Sequence, residues 1–109
     1  MVIATIKMLM SRQMRGEALK ILRSIVEQSR VQPGCFSSCL YGDLDEENVI
    51  VIEEMWLDEE ALNRHLRSEE YRHLLLVLEM ALRPPEIRFD TISSSTGIET
   101  IEKARIHAR

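Results

Sequence analysis

The chain has 109 residues, 45% of them apolar and 29% charged, and its 14 basic side chains against 18 acidic ones leave a net charge of −4. This is the size of one domain, too short for two, with the composition of a globular rather than a disordered protein. A chain this short buries only roughly 60–70% of its unfolded surface, so docking a second copy is a natural way to cover what is left.

Several partner classes are not expected. Basic residues are scattered rather than clustered, so nucleic acid is not an expected partner; the closest approach to a patch, Lys103, Arg105, His107 and Arg109, is interrupted by Glu99 and Glu102. No apolar run approaches the roughly 20 residues of a membrane span. The start, Met1-Val2-Ile3-Ala4-Thr5-Ile6-Lys7, lacks a positive stretch ahead of its apolar part, which argues against a signal peptide. Cys35 and Cys39 lie four apart in a segment that reads as a strand, where they would share one face at a distance too great to bridge. Free thiols in a reducing cytoplasm are expected, and this pair alone would leave a metal two ligands short.

Val2 to Met10 reads as a strand with both alternating sets largely apolar: Val2, Ala4, Ile6, Met8 and Ile3, Thr5, Lys7, Leu9. Ser11 is a good helix N-cap, followed by Ala18, Ile21, Leu22, Ile25 and Val26 at helical spacing, and Pro33-Gly34 ends that helix. Cys35 to Tyr41 is a second strand, residues 42–48 a polar turn, and Val49 to Trp56 a third strand, the two strands forming an antiparallel hairpin. Asp58, with Glu59 and Glu60 in the first turn, starts a short helix carrying Ala61, Leu62 and Leu66. Ser68 restarts the pattern, and Tyr71, Leu74, Leu75, Leu78 and Leu82 form a stripe ending before Pro84-Pro85. Ile87 to Ile92 is the last strand.

The order β-α-β-β-α-β, with the second helical region split in two, predicts an α+β ferredoxin-like antiparallel sheet with helices on one face. Residues 1–93 make the domain, and 94–109 are an extension, either a loose helix or an arm onto a partner subunit. The third strand is apolar on both sides, with Val49, Val51 and Met55 against Ile50, Ile52 and Trp56. An apolar sheet face left bare by one layer of helices marks an interface or pocket. The expected partner is a second copy laid face to face, making a dimeric α/β barrel.

The stretch Glu54-Met55-Trp56-Leu57-Asp58-Glu59-Glu60-Ala61-Leu62-Asn63-Arg64-His65-Leu66, with Ser68-Glu69-Glu70-Tyr71-Arg72 and Pro84-Pro85-Glu86-Ile87-Arg88-Phe89, resembles the antibiotic biosynthesis monooxygenase superfamily over about residues 1–92. The shared pattern is a strand ending in Trp, an acidic helix start, and a His nine residues after the Trp. The resemblance implies a homodimer and a cofactor-independent oxygenation of quinol-like or aromatic molecules in a dry apolar pocket. It does not imply haem degradation: that branch carries a first-strand Asn, a Trp where His65 stands and a haem-ligating His where this chain has Leu75. Aromatic-polyketide oxygenases place an Asn four residues before the strand-end Trp, where this chain has Ile52.

On this reading Trp56 and His65 stand nearest the chemistry, the indole N–H orienting a substrate oxygen and the imidazole taking a phenolic proton. Tyr71, Glu54 and Ile52 would face the substrate. Plainer roles are available to most of them: core packing for Trp56 and Tyr71, a local hydrogen bond for His65, and a cross-strand ion pair with Arg88 or Lys7 for whichever of Glu53 and Glu54 points inward. His73 and His107 read as surface residues, and the methionines as flexible core filler. Two other functions fit the pattern. One is a non-enzymatic barrel that binds a small apolar ligand or regulates a partner. The other is an isomerase or dehydratase using His65 as a proton shuttle.

Overall fold

In the computed structural model, residues 1–107 are described; the side chain of His107, expected at the surface, and Arg109 of the basic tail lie outside the described residues. The elements are β1 (Val2–Leu9), α1 (Arg12–Arg30), β2 (Cys35–Gly42), β3 (Val49–Trp56), α2 (Glu59–Leu66), α3 (Glu69–Glu79), β4 (Glu86–Thr91) and α4 (Ile98–His107). The four strands form one antiparallel sheet in the order β2-β3-β1-β4, the ferredoxin-like arrangement expected.

The starts of the first three helices follow from their capping residues. Ser11, Asp58 and Ser68 each accept the backbone N–H three residues on, from Met14, Ala61 and Tyr71. The acidic first turns of α2 and α3 complement the helix dipole. Ala18, Leu22, Ile25 and Val26 of α1 bury one stripe against Ile6, Met8, Ile50 and Ile52, and α3 adds Tyr71, Leu74, Val77 and Leu78 to the same core.

Two details depart from the sequence reading. α3 ends at Glu79 instead of running to Leu82; the Leu82 amide instead bonds the Leu9 carbonyl at 2.9 Å, and its side chain is exposed. Leu75 is also exposed, because the buried stripe runs through 74, 77 and 78. The second departure is in β2, where a bulge between Cys35 and Ser37 shifts the register. Cys35 then stands opposite Trp56 and packs with the helix-side core, whereas Cys39 stands opposite Glu53, so the two thiols take opposite faces instead of sharing one.

The face of the sheet away from the helices is half-covered at Ile3, Leu9, Val51 and Met55. α4 stands clear of it, with Ile98, Ile101 and Ile106 all exposed. Among the described residues no helix is long and apolar enough to cross a membrane.

The approach of α2 to the start of β2 depends on one glycine. Gly34 has φ of +85°, and a Cβ added there would lie 2.6 Å from the Cβ of Ala61. Its carbonyl accepts the Leu57 N–H at 2.7 Å, tying the α1–β2 connection to the end of β3. Gly34→Ala is expected to lower stability by about 1–3 kcal/mol, read as a lowered midpoint in thermal or urea unfolding. An unchanged midpoint would contradict this account of the joint.

Candidate functional site

β3 points Ile50, Ile52, Glu54 and Trp56 toward the helices, so a carboxylate sits in an otherwise apolar row, only 4% exposed. A buried ion of this kind requires compensating partners. Ser38, directly across from Glu54 on β2, donates its hydroxyl to Oε2 at 2.6 Å. Nε2 of His65, from α2, lies 2.7 Å from Oε1. Oε1 is out of line with the ring N–H, so the contact is close without being a linear hydrogen bond. Ser29, buried on α1, is close enough to help stabilise the same carboxylate without closing a hydrogen bond to it. Burial alone pushes the Glu54 carboxyl up; the His65 contact and its charge, then Ser38 and Ser29, outweigh burial and leave it below its ordinary value.

The β2 bulge gives Ser38 this role. Counting back from Cys35 opposite Trp56, an unbulged strand would set Ser37 against Glu54. The Nε of Arg30 fixes the displaced segment by donating to the Ser38 carbonyl at 2.9 Å. The Cys35 thiol nearby is pushed up by burial and then by the Glu54 charge.

His65 is also held by its ring faces. Trp56 stacks on it with centroids 4.4 Å apart and planes 27° apart, and Tyr71 meets it edge-on at 5.2 Å. Ser68 links the two helices, its hydroxyl donating to the His65 carbonyl at 2.7 Å while accepting the Tyr71 N–H. Burial, then the Glu54 charge, raise the Tyr71 hydroxyl, which therefore stays protonated at neutral pH. Among the described residues the buried Trp56 indole N–H has no acceptor, a state that costs on the order of 1–3 kcal/mol.

One side of this cluster faces a cavity of about 250 Å³. Pro33, Trp56 and Ala61 form its walls, Gln32, Arg64 and Ser68 its polar lining, and His65 belongs to it as well.

Glu54, Trp56, His65 and Tyr71 are thus brought together. Of the residues expected to face a substrate, Ile52 is packed in the main core with Ile6 and Ile25, and neither it nor Glu54 nor Tyr71 is part of the cavity lining. The inward carboxylate is Glu54, but its partners are Ser38 and His65 rather than Lys7 or Arg88. Those two cations belong to the opposite sheet face, where Arg88 pairs with Asp90 at 2.9 Å. His73 is exposed. Ser29, Ser38, Gln32 and Arg64 were missed. Ser29 alone left a trace in the sequence, continuing the 18, 22, 25, 26 stripe of α1. Among the described residues no group of three or more His, Cys, Asp and Glu side chains could hold a metal ion.

A profile of the antibiotic biosynthesis monooxygenase family matches residues 1–75, more than two thirds of the 109. A crystal structure of an antibiotic biosynthesis monooxygenase is 21% identical with a TM-score of 0.78, covering 86% of this chain and all of that one. A protein of Mycobacterium tuberculosis is 22% identical with a TM-score of 0.79, covering 88% of this chain and 98% of its own. At such identities these likenesses establish the fold. An uncharacterised Synechocystis protein is 26% identical over 82 residues, which span 74% of this chain but 56% of the relative's length.

The Glu54 network has a defined pH signature. Its folded value lies below the ordinary 4.5, so its contribution to stability is fully present above about 4.5 and is lost as the pH falls through the lower folded value. Glu54→Gln is expected to be about 3 kcal/mol less stable at neutral pH, with the gap narrowing as the pH drops below about 4.5. Urea unfolding of both proteins across that range measures it; a gap that stays constant with pH would show that Glu54 is not ionised in the native state.

Proposed function

The chain belongs to the antibiotic biosynthesis monooxygenase family, and on that footing we propose that it is a cofactor-independent monooxygenase acting on a small quinol-like or aromatic molecule in the cavity beside His65. The observation that carries this reading is the buried imidazole, wedged between Trp56 and Tyr71 and paired with the Glu54 carboxylate at 2.7 Å. With Glu54 occupying the Nε2 side of the ring, Nδ1 is the nitrogen left to exchange a proton with a substrate. A carboxylate behind an imidazole also stabilises the cation formed when that proton arrives.

In the reaction this supports, His65 removes the acidic proton of an electron-rich phenol or of the CH₂ flanked by its rings. The resulting carbanion passes one electron to dioxygen, and the two radicals combine into a carbon-bound peroxide. The O–O bond then breaks with loss of the C–H proton at the peroxidised carbon, and hydroxide leaves with the proton held on His65. CH₂ plus O₂ thus becomes C=O plus H₂O or, where a quinol reacts at a ring C–H, hydroquinone plus O₂ becomes hydroxybenzoquinone plus H₂O. Trp56, which lines the cavity and stacks on His65, would offer its N–H to the substrate oxygen as charge develops there. The buried apolar wall at Trp56 and Ala61 gives the anion a less polar surface to lie against than water would.

The same family membership, with the apolar residues Ile3, Leu9, Val51 and Met55 on the uncovered sheet face, supports a homodimer packed through that face, with the α4 extension as an arm onto the partner.

Two measurements test these readings. Aerobic incubation with anthrone- and hydroquinone-type compounds should consume oxygen, with kcat falling about 10²–10⁴-fold in His65→Ala. Uptake no faster than in a His65→Ala, Trp56→Ala double variant would rule out the oxygenase. Light scattering at micromolar concentration should give twice the chain mass, and Val51→Asp should shift it toward the monomer; a wild-type monomer would refute the face-to-face dimer.

A further inference from the structure

The cavity is electrically polarised. Behind His65 lies the Glu54 carboxylate, buried and held ionised by its partners. Toward solvent, on the exposed side of α2, lies Arg64, one residue before His65 and lining the same space. Arg64 makes no ion pair and no side-chain hydrogen bond among the described residues. Of the lining side chains it is the only one with a permanent charge, and its neighbours at the polar side, Gln32 and Ser68, are neutral. An anionic group on a ligand is therefore repelled from the inner end and attracted to the outer one.

Size narrows the ligand further. At about 250 Å³ the cavity falls just below the roughly 300–1,000 Å³ typical of sites for drug-sized ligands. A compact aromatic molecule of one to three rings fits that volume.

We infer that the substrate is a small phenol or quinol bearing a carboxylate, with Arg64 binding the carboxylate at the mouth and so directing the reacting hydroxyl inward to His65. Guanidinium suits this task because its planar fork matches a carboxylate in two parallel hydrogen bonds. The assignment rests on the oxygenase reading for what happens at His65, but the charge preference itself is a property of binding alone. Arg64 is accordingly a specificity residue, one that sets KM more than kcat.

The test compares 2,5-dihydroxyphenylacetate with hydroquinone, the same oxidisable ring with and without a carboxylate. Trp56 is the sole tryptophan and lines the cavity, so the single indole N–H resonance in a ¹⁵N-labelled sample reports binding without turnover. The carboxylated compound should bind about five- to tenfold tighter than hydroquinone at low salt. Arg64→Gln should erase that preference while leaving hydroquinone affinity within twofold. Arg64 is exposed and makes no side-chain bond, so the variant should unfold at the wild-type midpoint. Equal affinities in the wild type, or a preference that survives Arg64→Gln, would overturn the inference. Selective binding without oxygen uptake from either compound would leave the carboxylate preference standing and reject the oxygenase.

Discussion

The site is organised around one carboxylate on the wrong face of a strand. β3 turns Ile50, Ile52, Glu54 and Trp56 toward the helices, and a charge in that row cannot be left to itself. Moving an ion of this kind out of water costs several kcal/mol even after relaxation, and the surrounding structure supplies what offsets it from three different elements. β2 gives Ser38 through a bulge, α2 gives His65, and α1 brings Ser29 close. Apolar side chains in place of the whole set, Glu54 together with His65 and Ser38, would make the core simpler and, by analogy with other buried ion pairs, no less stable, whereas replacing Glu54 alone strands His65. The pair is therefore better understood as chemistry retained in the core than as a source of stability.

That constraint explains features that look unrelated when taken singly. The bulge at Phe36 changes which residues of β2 face the helices, so a hydroxyl meets the carboxylate and the two cysteines part to opposite faces. Arg30 then holds the displaced strand at the Ser38 carbonyl. On the other side, α2 must come close enough for His65 to reach β3, and the close approach of Ala61 to Gly34 is where that distance is set. The α2–α3 junction, with Ser68 bonded to the His65 carbonyl and capping α3, carries Tyr71 to the edge of the imidazole.

Most of the fold was legible in the sequence because its signals are local. Strand alternation, the caps at Ser11, Asp58 and Ser68, and the Pro33-Gly34 and Pro84-Pro85 breaks each act within a few residues. The site was legible only as a set of names. Trp56 and His65 could be singled out by a family resemblance, but the pairing of Glu54 could not, since it depends on the parity of β2 after a bulge that no residue type announces. Counting alternation correctly placed Glu53 and Glu54 on opposite faces, yet assigned the inward one to partners, Lys7 and Arg88, that lie on the other side of the sheet. Leu75 and Leu82 show the same limit from the apolar side: helical spacing names a stripe, and only tertiary contact decides which of its members is covered.

The packing of His65 also bears on how a site this small can act. An imidazole fixed on one nitrogen by a carboxylate, on one face by an indole and at its edge by a phenol has almost no freedom left to lose when a substrate arrives. Orientation of this kind is established at folding rather than at binding, and it can account for a large part of a rate enhancement without further groups. The same rigidity explains the unpartnered Trp56 N–H: a ring locked in a stack against His65 cannot turn to find an acceptor within the protein. A donor kept unsatisfied by its neighbours' packing is preorganised for charge that develops on a bound molecule. The stacked and paired imidazole thus ties the stability of the α2–β3 junction to the chemistry proposed for it, so substitutions at Gly34, Glu54 or Ser38 should affect both together.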